Sequence, residues 1–213
     1  MSLNMKALVV GALGVNCYIL HEEGSKEAIA IDPGGSEETV WQHIQEDGLN
    51  LKAILHTHAH ADHIGAIDFL REKTGAKLYI HEADAPMLLD ARKNLSAFMG
   101  VPIMTRPANT LLKGGEVLEI GGMKFTVLHT PGHSPGGVCY LMEDRVFSGD
   151  TLFAESVGRT DFPGASSQDL LTSIKEKLMT LPDELVVYCG HGPATTIGHE
   201  RKCNPYINGF GFM

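Results

Sequence analysis

Apolar residues fall along this chain in short bursts, separated by glycine, proline and acidic turns, which is the spacing of strands rather than of long helices. Residues 5–10 and 16–20 alternate or run apolar around Gly11 and Gly14. Glu22-Glu23-Gly24-Ser25 then marks a turn before Ala28-Ile29-Ala30-Ile31, so the chain opens as a meander of strands. Asp32-Pro33-Gly34-Gly35 stops it, and Ser36 is placed to cap a helix with Val40, Trp41 and Ile44 on its apolar face and Gly48 at its end. The branched run Leu51-Lys52-Ala53-Ile54-Leu55 reads as a buried strand. A helix over 66–73 follows, carrying Ile67, Phe69 and Leu70 and closed by Gly75.

Beyond this point the pattern predicts a strand over 77–80 and a helix over 82–93 with Pro86 near its first turn. From 94 to 115 periodicity is lost while Phe98, Met99, Val101, Ile103 and Met104 stay apolar, so this long loop either covers core or walls a binding pocket. Two hairpins come next, 116–120 with 124–128 across Gly121-Gly122, and 138–142 with 145–147 across Glu143-Asp144. Leu170, Leu171, Ile174 and Leu178 mark a helix capped by Ser166 or Ser167, and 184–188 is a last strand. Each half reads as strands followed by strand and helix alternation, the order of an α/β layered fold.

Composition narrows the class without naming it. At 213 residues, 43% hydrophobic and 20% charged, the chain is expected to form one domain over 1–213. No apolar run approaches the roughly 20 residues that span a bilayer, and no secretory signal precedes the first strand, so a cytoplasmic protein without a membrane partner is expected. Cys17, Cys139, Cys189 and Cys203 lack CxxC spacing, which argues against a disulfide framework or a sulfur-ligated zinc; they read as small buried hydrophobes. A net charge of −9 with no Lys/Arg cluster argues against nucleic acid as partner, leaving a small-molecule substrate and a monomer or small homo-oligomer.

The candidate chemistry begins where the strand 51–55 ends. After Thr57, His58-Ala59-His60-Ala61-Asp62-His63 packs three imidazoles and a carboxylate into six positions, and these are ordinary donors for zinc, iron or manganese. His58 and His60 alternate, so both rings can leave one side of an extended segment, while Asp62 and His63 sit at the turn into the next helix. His133, Asp150 and His191 each stand in a Gly/Pro-punctuated turn just after an apolar strand, and strand ends along one sheet edge converge. Together these make five His and two Asp, enough for two divalent ions: His58, His60 and His133 for the first, Asp62, His63 and His191 for the second, and Asp150 between them. Two ions about 3.5–4 Å apart leave room for a bridging hydroxide as nucleophile. Asp62 and Asp150 are then catalytic as well as ligating. Zinc is the first choice of metal, with iron and manganese as alternatives. The remaining histidines read as structural, with His56 closest to the site.

This set, with the early Asp32-Pro33-Gly34, resembles the metallo-β-lactamase superfamily over nearly the whole chain. The resemblance implies an αββα four-layer sandwich of two similar halves with the site at one edge, and a structural role for Asp32 in supporting the histidine loop. Residues 149–153, 158–164 and 190–200 look like those of the short bacterial glyoxalase II-type hydrolases, which implies hydrolysis of a thioester such as S-lactoylglutathione. A thiolate, with a pKa of about 8.5, departs without a dedicated acid, in keeping with the lack of a separate acid residue. Full-length glyoxalases II carry a further helical domain that grips glutathione; this chain is expected to lack it, and Arg159 is the candidate for meeting a substrate carboxylate or backbone. Persulfide dioxygenases are the nearest rival, since they share the histidine stretch and a Gly-Arg-Thr-Asp-Phe segment like that at 158–162 but hold one iron. Hydrolysis of another ester or lactone is the next alternative, and a metal-binding scaffold without activity would be expected to have lost ligands. A β-lactamase is placed further off because no cysteine stands where Asp150 does.

Overall fold

The opening bursts become β1 (Leu3–Val10), β2 (Val15–Glu22) and β3 (Glu27–Ile31), paired antiparallel in that order. The structure, a computed structural model, describes residues 3–208. After helix α1 (Glu37–Glu46), β4 (Asn50–Leu55) returns parallel to β3. Helices α2 (Ala61–Ile64) and α3 (Ile67–Thr74) then lead to β5 (Lys77–His81), and β6 (Thr110–Leu112) completes a six-stranded sheet in the order β1 to β6.

A second sheet follows. It takes β7 (Val117–Ile120), β8 (Met123–His129), β9 (Val138–Leu141) and β10 (Arg145–Gly149) as an antiparallel meander. A two-stranded flap of β11 (Leu152–Phe153) and β12 (Ser156–Val157) and helix α4 (Ser167–Ser173), extended by a π-turn over Ile174–Leu178, come next. The sheet then gains β13 (Val186–Cys189), parallel to β10, and β14 (Thr195–Thr196), before α5 (Ile197–Cys203).

Residue parity sorts the apolar runs into layers. In β2, Tyr18 and Leu20 face the second sheet while Cys17 and Ile19 face α1 and α3; in β3, Ile29 and Ile31 take the first direction and Ala28 and Ala30 the second. Strands covered on both faces read as continuous apolar runs rather than alternating ones. The middle layer joins those residues to Phe125, Val127, Tyr140 and Phe147 of the second sheet, and Leu170, Ile174, Leu178 and Ile197 cover its outer face. The result is the expected αββα sandwich. Each fully buried Ile or Leu adds about 1.5–3 kcal/mol, against which chain entropy is set.

Several local expectations are corrected. The helix over 82–93 does not form: only Ala85–Leu89 make a 3₁₀ turn, because Asp90 goes extended and its Oδ1 accepts from Arg92 N at 2.9 Å, closing an Asx turn in place of the next helical bond. Ser36 stands before α1 but does not cap it; its backbone is left-handed (φ 51°) and its Oγ accepts from Gly11 N at 3.1 Å. The loop over 94–115 holds a 3₁₀ turn, Ser96–Phe98, and the strand β6. Helix α5, capped by Thr196 accepting from His199 N at 3.2 Å, and the short strands β11, β12 and β14 are too brief to leave a period in the sequence. Ser166 is the cap of α4, accepting from Asp169 N at 3.2 Å.

Candidate metal centre

The seven predicted residues gather at the carboxyl ends of β4, β8, β10 and β13, so both sheets contribute rather than one sheet edge alone. They form three overlapping groups, His58 with His60 and His133, His58 with His63 and Asp150, and Asp62 with His63 and His191, with ligand-capable atoms in each group within 4.8 Å of one another. Asp150 joins them. Its Oδ1 lies 3.4 Å from His63 Nε2, and its Oδ2 lies 3.6 Å from His133 Nε2 and 3.7 Å from His191 Nε2. His191 Nε2 also sits 3.2 Å from Asp62 Oδ2. A side chain at Gly190 would collide with the Asp150 carboxylate and the His63 ring, so the close approach of β10 to β13 requires glycine there.

Second partners fix which nitrogen faces the centre. Thr57 Oγ1 donates to Asp32 Oδ2 at 2.5 Å and accepts from His58 Nδ1 at 3.1 Å, leaving His58 Nε2 bare. His133 Nδ1 donates to the backbone oxygen of Arg159 at 2.8 Å, leaving its Nε2 only 2.8 Å from His60 Nδ1. His63 Nδ1 lies 3.1 Å from Asp32 Oδ2, and the buried His56 places its Nδ1 3.3 Å from Asp32 Oδ1. Asp32 also accepts from Thr57 N at 2.8 Å, so it supports the histidine loop as expected.

The donor set fits metal ions. His58 Nε2, His63 Nε2 and Asp150 Oδ1 are buried without a hydrogen-bond partner and converge on the same space, an arrangement that costs free energy unless cations complete it. Burial drives His58 well below the ordinary histidine range and His60 to about 3, with neighbouring imidazoles adding to the effect, so both rings are neutral and able to coordinate. Burial opposes charge on Asp62 and Asp150 too. It is outweighed by the His191 hydrogen bond, which takes Asp62 to about 2, and by the charge of His63, which lowers Asp150. Against its own burial, His63 is held well above its usual range by Asp150 and Asp32, which is the response of a carboxylate-rich pocket calling for positive charge.

Residues the motif did not flag hold the ligand loops in place. Asp84, fully buried, accepts from Ala59 N at 3.1 Å, Ser134 Oγ at 2.7 Å and Gly136 N at 2.6 Å, tying the His58–His60 segment to the His133 turn. Asn16 donates to the carbonyls of Cys189 and Gly192 at 3.0 and 2.9 Å, and Tyr18 OH to Cys189 O at 2.6 Å, pinning the His191 turn to the first sheet. Nothing in the sequence marks them, because their partners are distant in the chain. Arg159 is not a free cation: it is exposed, forms a two-pronged pair with Asp161 at 3.0 and 2.8 Å, and lies over the Phe162 ring at 4.6 Å. Beside the centre opens a cavity of about 730 Å³ that the 94–115 loop helps to wall through Leu95, Phe98 and Met99.

A sandwich of two sheets with this His/Asp cluster at its edge defines a class of metal-dependent hydrolases. The chain belongs to the metallo-beta-lactamase superfamily, whose model matches residues 10–191. It is similar to a probable metallo-hydrolase of Bacillus subtilis, YqgX (43% identity over 96% of this chain and 98% of that protein), and to the hydroxyacylglutathione hydrolase GloC of Haemophilus influenzae (36%, over 97% and 99%). Among solved structures it is similar to the B3 metallo-beta-lactamase BLEG-1 (TM-score 0.92, 42% identity, over 96% and 99%) and to TTHA1623 in a di-iron-bound form (TM-score 0.84, 39%, over 94% and 99%).

Proposed function

We propose that this protein is a two-metal hydrolase of thioesters, of the class that S-lactoylglutathione exemplifies. The observation that carries the reading is the pair of ligand groups joined through Asp150, at the foot of a cavity large enough for a small acylated thiol. His58, His60 and His133 would hold one ion and Asp62, His63 and His191 the other, with Asp150 shared. Bound there, two divalent ions supply Lewis acidity and a water that ionises near neutral pH.

The chain's own groups do the rest. Asp62, ionised and lining the cavity, is placed to orient a water by accepting its O–H. Hydrolysis forms a bond between the water oxygen and the acyl carbon and breaks the C–S bond; one water proton goes to the departing thiolate and the other to solvent. The thiolate needs no acid residue, since its conjugate acid has a pKa of about 8.5. The similarity to GloC supports a thioester, and that to TTHA1623 supports a pair of metals, with zinc, iron or manganese as occupants. We place the activity in the cytoplasm, in one domain spanning the chain, acting on a small molecule as a monomer or small homo-oligomer.

Elemental analysis of protein grown on each metal, followed by assay of each form on S-lactoylglutathione, tests the proposal. Two metals per chain with thioester turnover are expected; fully metallated protein inert towards this and other thioesters refutes it. A second reading, β-lactam hydrolysis, is favoured by the similarity to BLEG-1. The lack of a cysteine where Asp150 stands weighs only against β-lactamases that use a sulfur ligand there. Nitrocefin turnover by the same preparations separates the two. The single-iron dioxygenase reading is disfavoured by the second group, Asp62, His63 and His191.

A further inference from the structure

The wall of the cavity is more informative about substrate than the metal centre. Leu13 from the β1–β2 turn, Leu95, Phe98 and Met99 from the 94–115 loop, and Phe153 and Phe162 from the opposite side surround the opening. Three of these are large apolar side chains left in water, with Leu13 55%, Phe98 77% and Met99 48% exposed. Exposed apolar side chains clustered at the mouth of a polar centre mark a binding surface.

The wall is also held in place. Leu95 adopts a left-handed backbone (φ 73°), unfavourable for a residue with a Cβ, and is kept there by Asn94. The Asn94 amide donates to Met87 O at 3.0 Å and Ile103 O at 2.8 Å, its side-chain oxygen accepts from Ser96 N at 3.0 Å, and its carbonyl accepts from Ala61 N at 2.9 Å. That last bond joins the wall to the helix that carries Asp62 and His63. Charge complementarity points the same way. Among the described residues Arg159 is the only Lys or Arg lining the cavity, and the Asp161 carboxylate lies against its Nε and Nη2, offsetting its charge. An anionic arm on the substrate would meet a guanidinium whose charge Asp161 already offsets through Nε and Nη2, leaving only Nη1 to receive it.

We infer that the substrate presents an uncharged, apolar group to this wall, so that among thioesters the enzyme prefers a bulky apolar one and treats S-lactoylglutathione as a poor substrate. The inference rests on the thioesterase reading and narrows it. The apolar group could lie on the acyl or on the thiol side, and the chemistry of the wall is the same for both.

Four thioesters test it: lactoyl and phenylacetyl esters, each of glutathione and of the neutral thiol N-acetylcysteamine, with kcat/KM normalised to each ester's hydroxide-catalysed rate. Phenylacetyl-N-acetylcysteamine is expected to exceed S-lactoylglutathione by about 10- to 100-fold, the worth of burying one aromatic side chain. The two crossed esters show which side carries the preference. Phe98→Ser is expected to shrink it about fivefold through KM, because part of the wall is lost. Equal values, or preference for the glutathione ester of lactate, overturn the inference and leave the thioesterase reading intact. Absence of turnover on all four overturns that reading instead. Calorimetry with the non-hydrolysable S-benzyl-N-acetylcysteamine and S-methylglutathione then still decides the inference: about tenfold tighter binding of the first supports it, and the reverse order refutes it.

Discussion

Replacing Asp84 by alanine removes a carboxylate that ties the His58–His60 segment to the His133 turn. It accepts three hydrogen bonds, from Ala59 N, Ser134 Oγ and Gly136 N, with no solvent exposure. Ser134 can turn its hydroxyl elsewhere, but two backbone N–H groups are left buried without an acceptor, at about 1–3 kcal/mol each. Burial pushes the Asp84 carboxyl above its usual range despite those bonds, so removing the charge recovers part of its desolvation cost. The net loss should be about 2–5 kcal/mol. Asp84→Asn keeps the shape but sets an NH₂ group against a donor, and should lose about 1–3 kcal/mol. Because Ala59 lies between His58 and His60 and Ser134 beside His133, both variants should also weaken metal binding by about 10- to 100-fold. Urea unfolding of metal-free protein reads the first quantity and competition with a chromogenic chelator the second. An alanine variant within about 1 kcal/mol of the parent, with unchanged chelator competition, would show that Asp84 does not organise the loops.

Asp150→Asn should bind fewer than two metals per chain and lose thioester turnover, since Asp150 faces His63, His133 and His191 together; full occupancy with retained turnover contradicts a shared ligand. Gly190→Ala should lower metal content while keeping the fold measured by circular dichroism, because the added methyl meets Asp150 and His63; unchanged content is the opposing result. In metal-free protein, Asp62 is held at about 2 against an ordinary 3.8, so the stability it contributes is present above pH 3.8 and lost as pH falls towards 2. Its share is on the order of 2 kcal/mol; acid unfolding of Asp62→Asn should be flatter over that window, and parallel curves would contradict the assignment. Cys17, Cys139 and Cys189 are buried, with burial raising all three thiols, whereas Cys203 is exposed. An aromatic disulfide reagent should therefore titrate Cys203 alone in native protein and all four thiols after denaturation, and a second fast thiol in the native state would contradict this packing.

The similarity to BLEG-1 bears on the choice between thioester and β-lactam as substrate. The lack of a cysteine where Asp150 stands counts only against those β-lactamases that use a sulfur ligand, and an all-nitrogen-and-oxygen donor set leaves the others open. The donor set does not distinguish these substrates, whereas the wall of the cavity, where Phe98, Met99 and Leu13 are exposed and Arg159 is paired with Asp161, offers a surface that can.

What the sequence determined by itself is what short-range pattern can carry. Runs such as Ala28-Ile29-Ala30-Ile31 and Leu51-Lys52-Ala53-Ile54-Leu55 read as strands because they are apolar, only four or five residues long and bounded by turn residues. The density of imidazole and carboxylate over 58–63, with His133, Asp150 and His191 each after a strand, marks a candidate ligand set, and the fold brings those seven residues together. Tertiary structure decided the rest for two reasons. Parity along a run covered on both faces has no local signature, so nothing in 28–31 says that Ile29 meets the other sheet and Ala30 a helix. Residues that orient the site act across long stretches of chain, as Asp84 does on Ser134, Tyr18 on Cys189, and the Arg159 carbonyl on His133. The helix expected over 82–93 fails because the Asp90 side chain closes a turn at that point. Periodicity reports which residues can be buried; the choice among competing backbone partners is made only when the whole chain is folded.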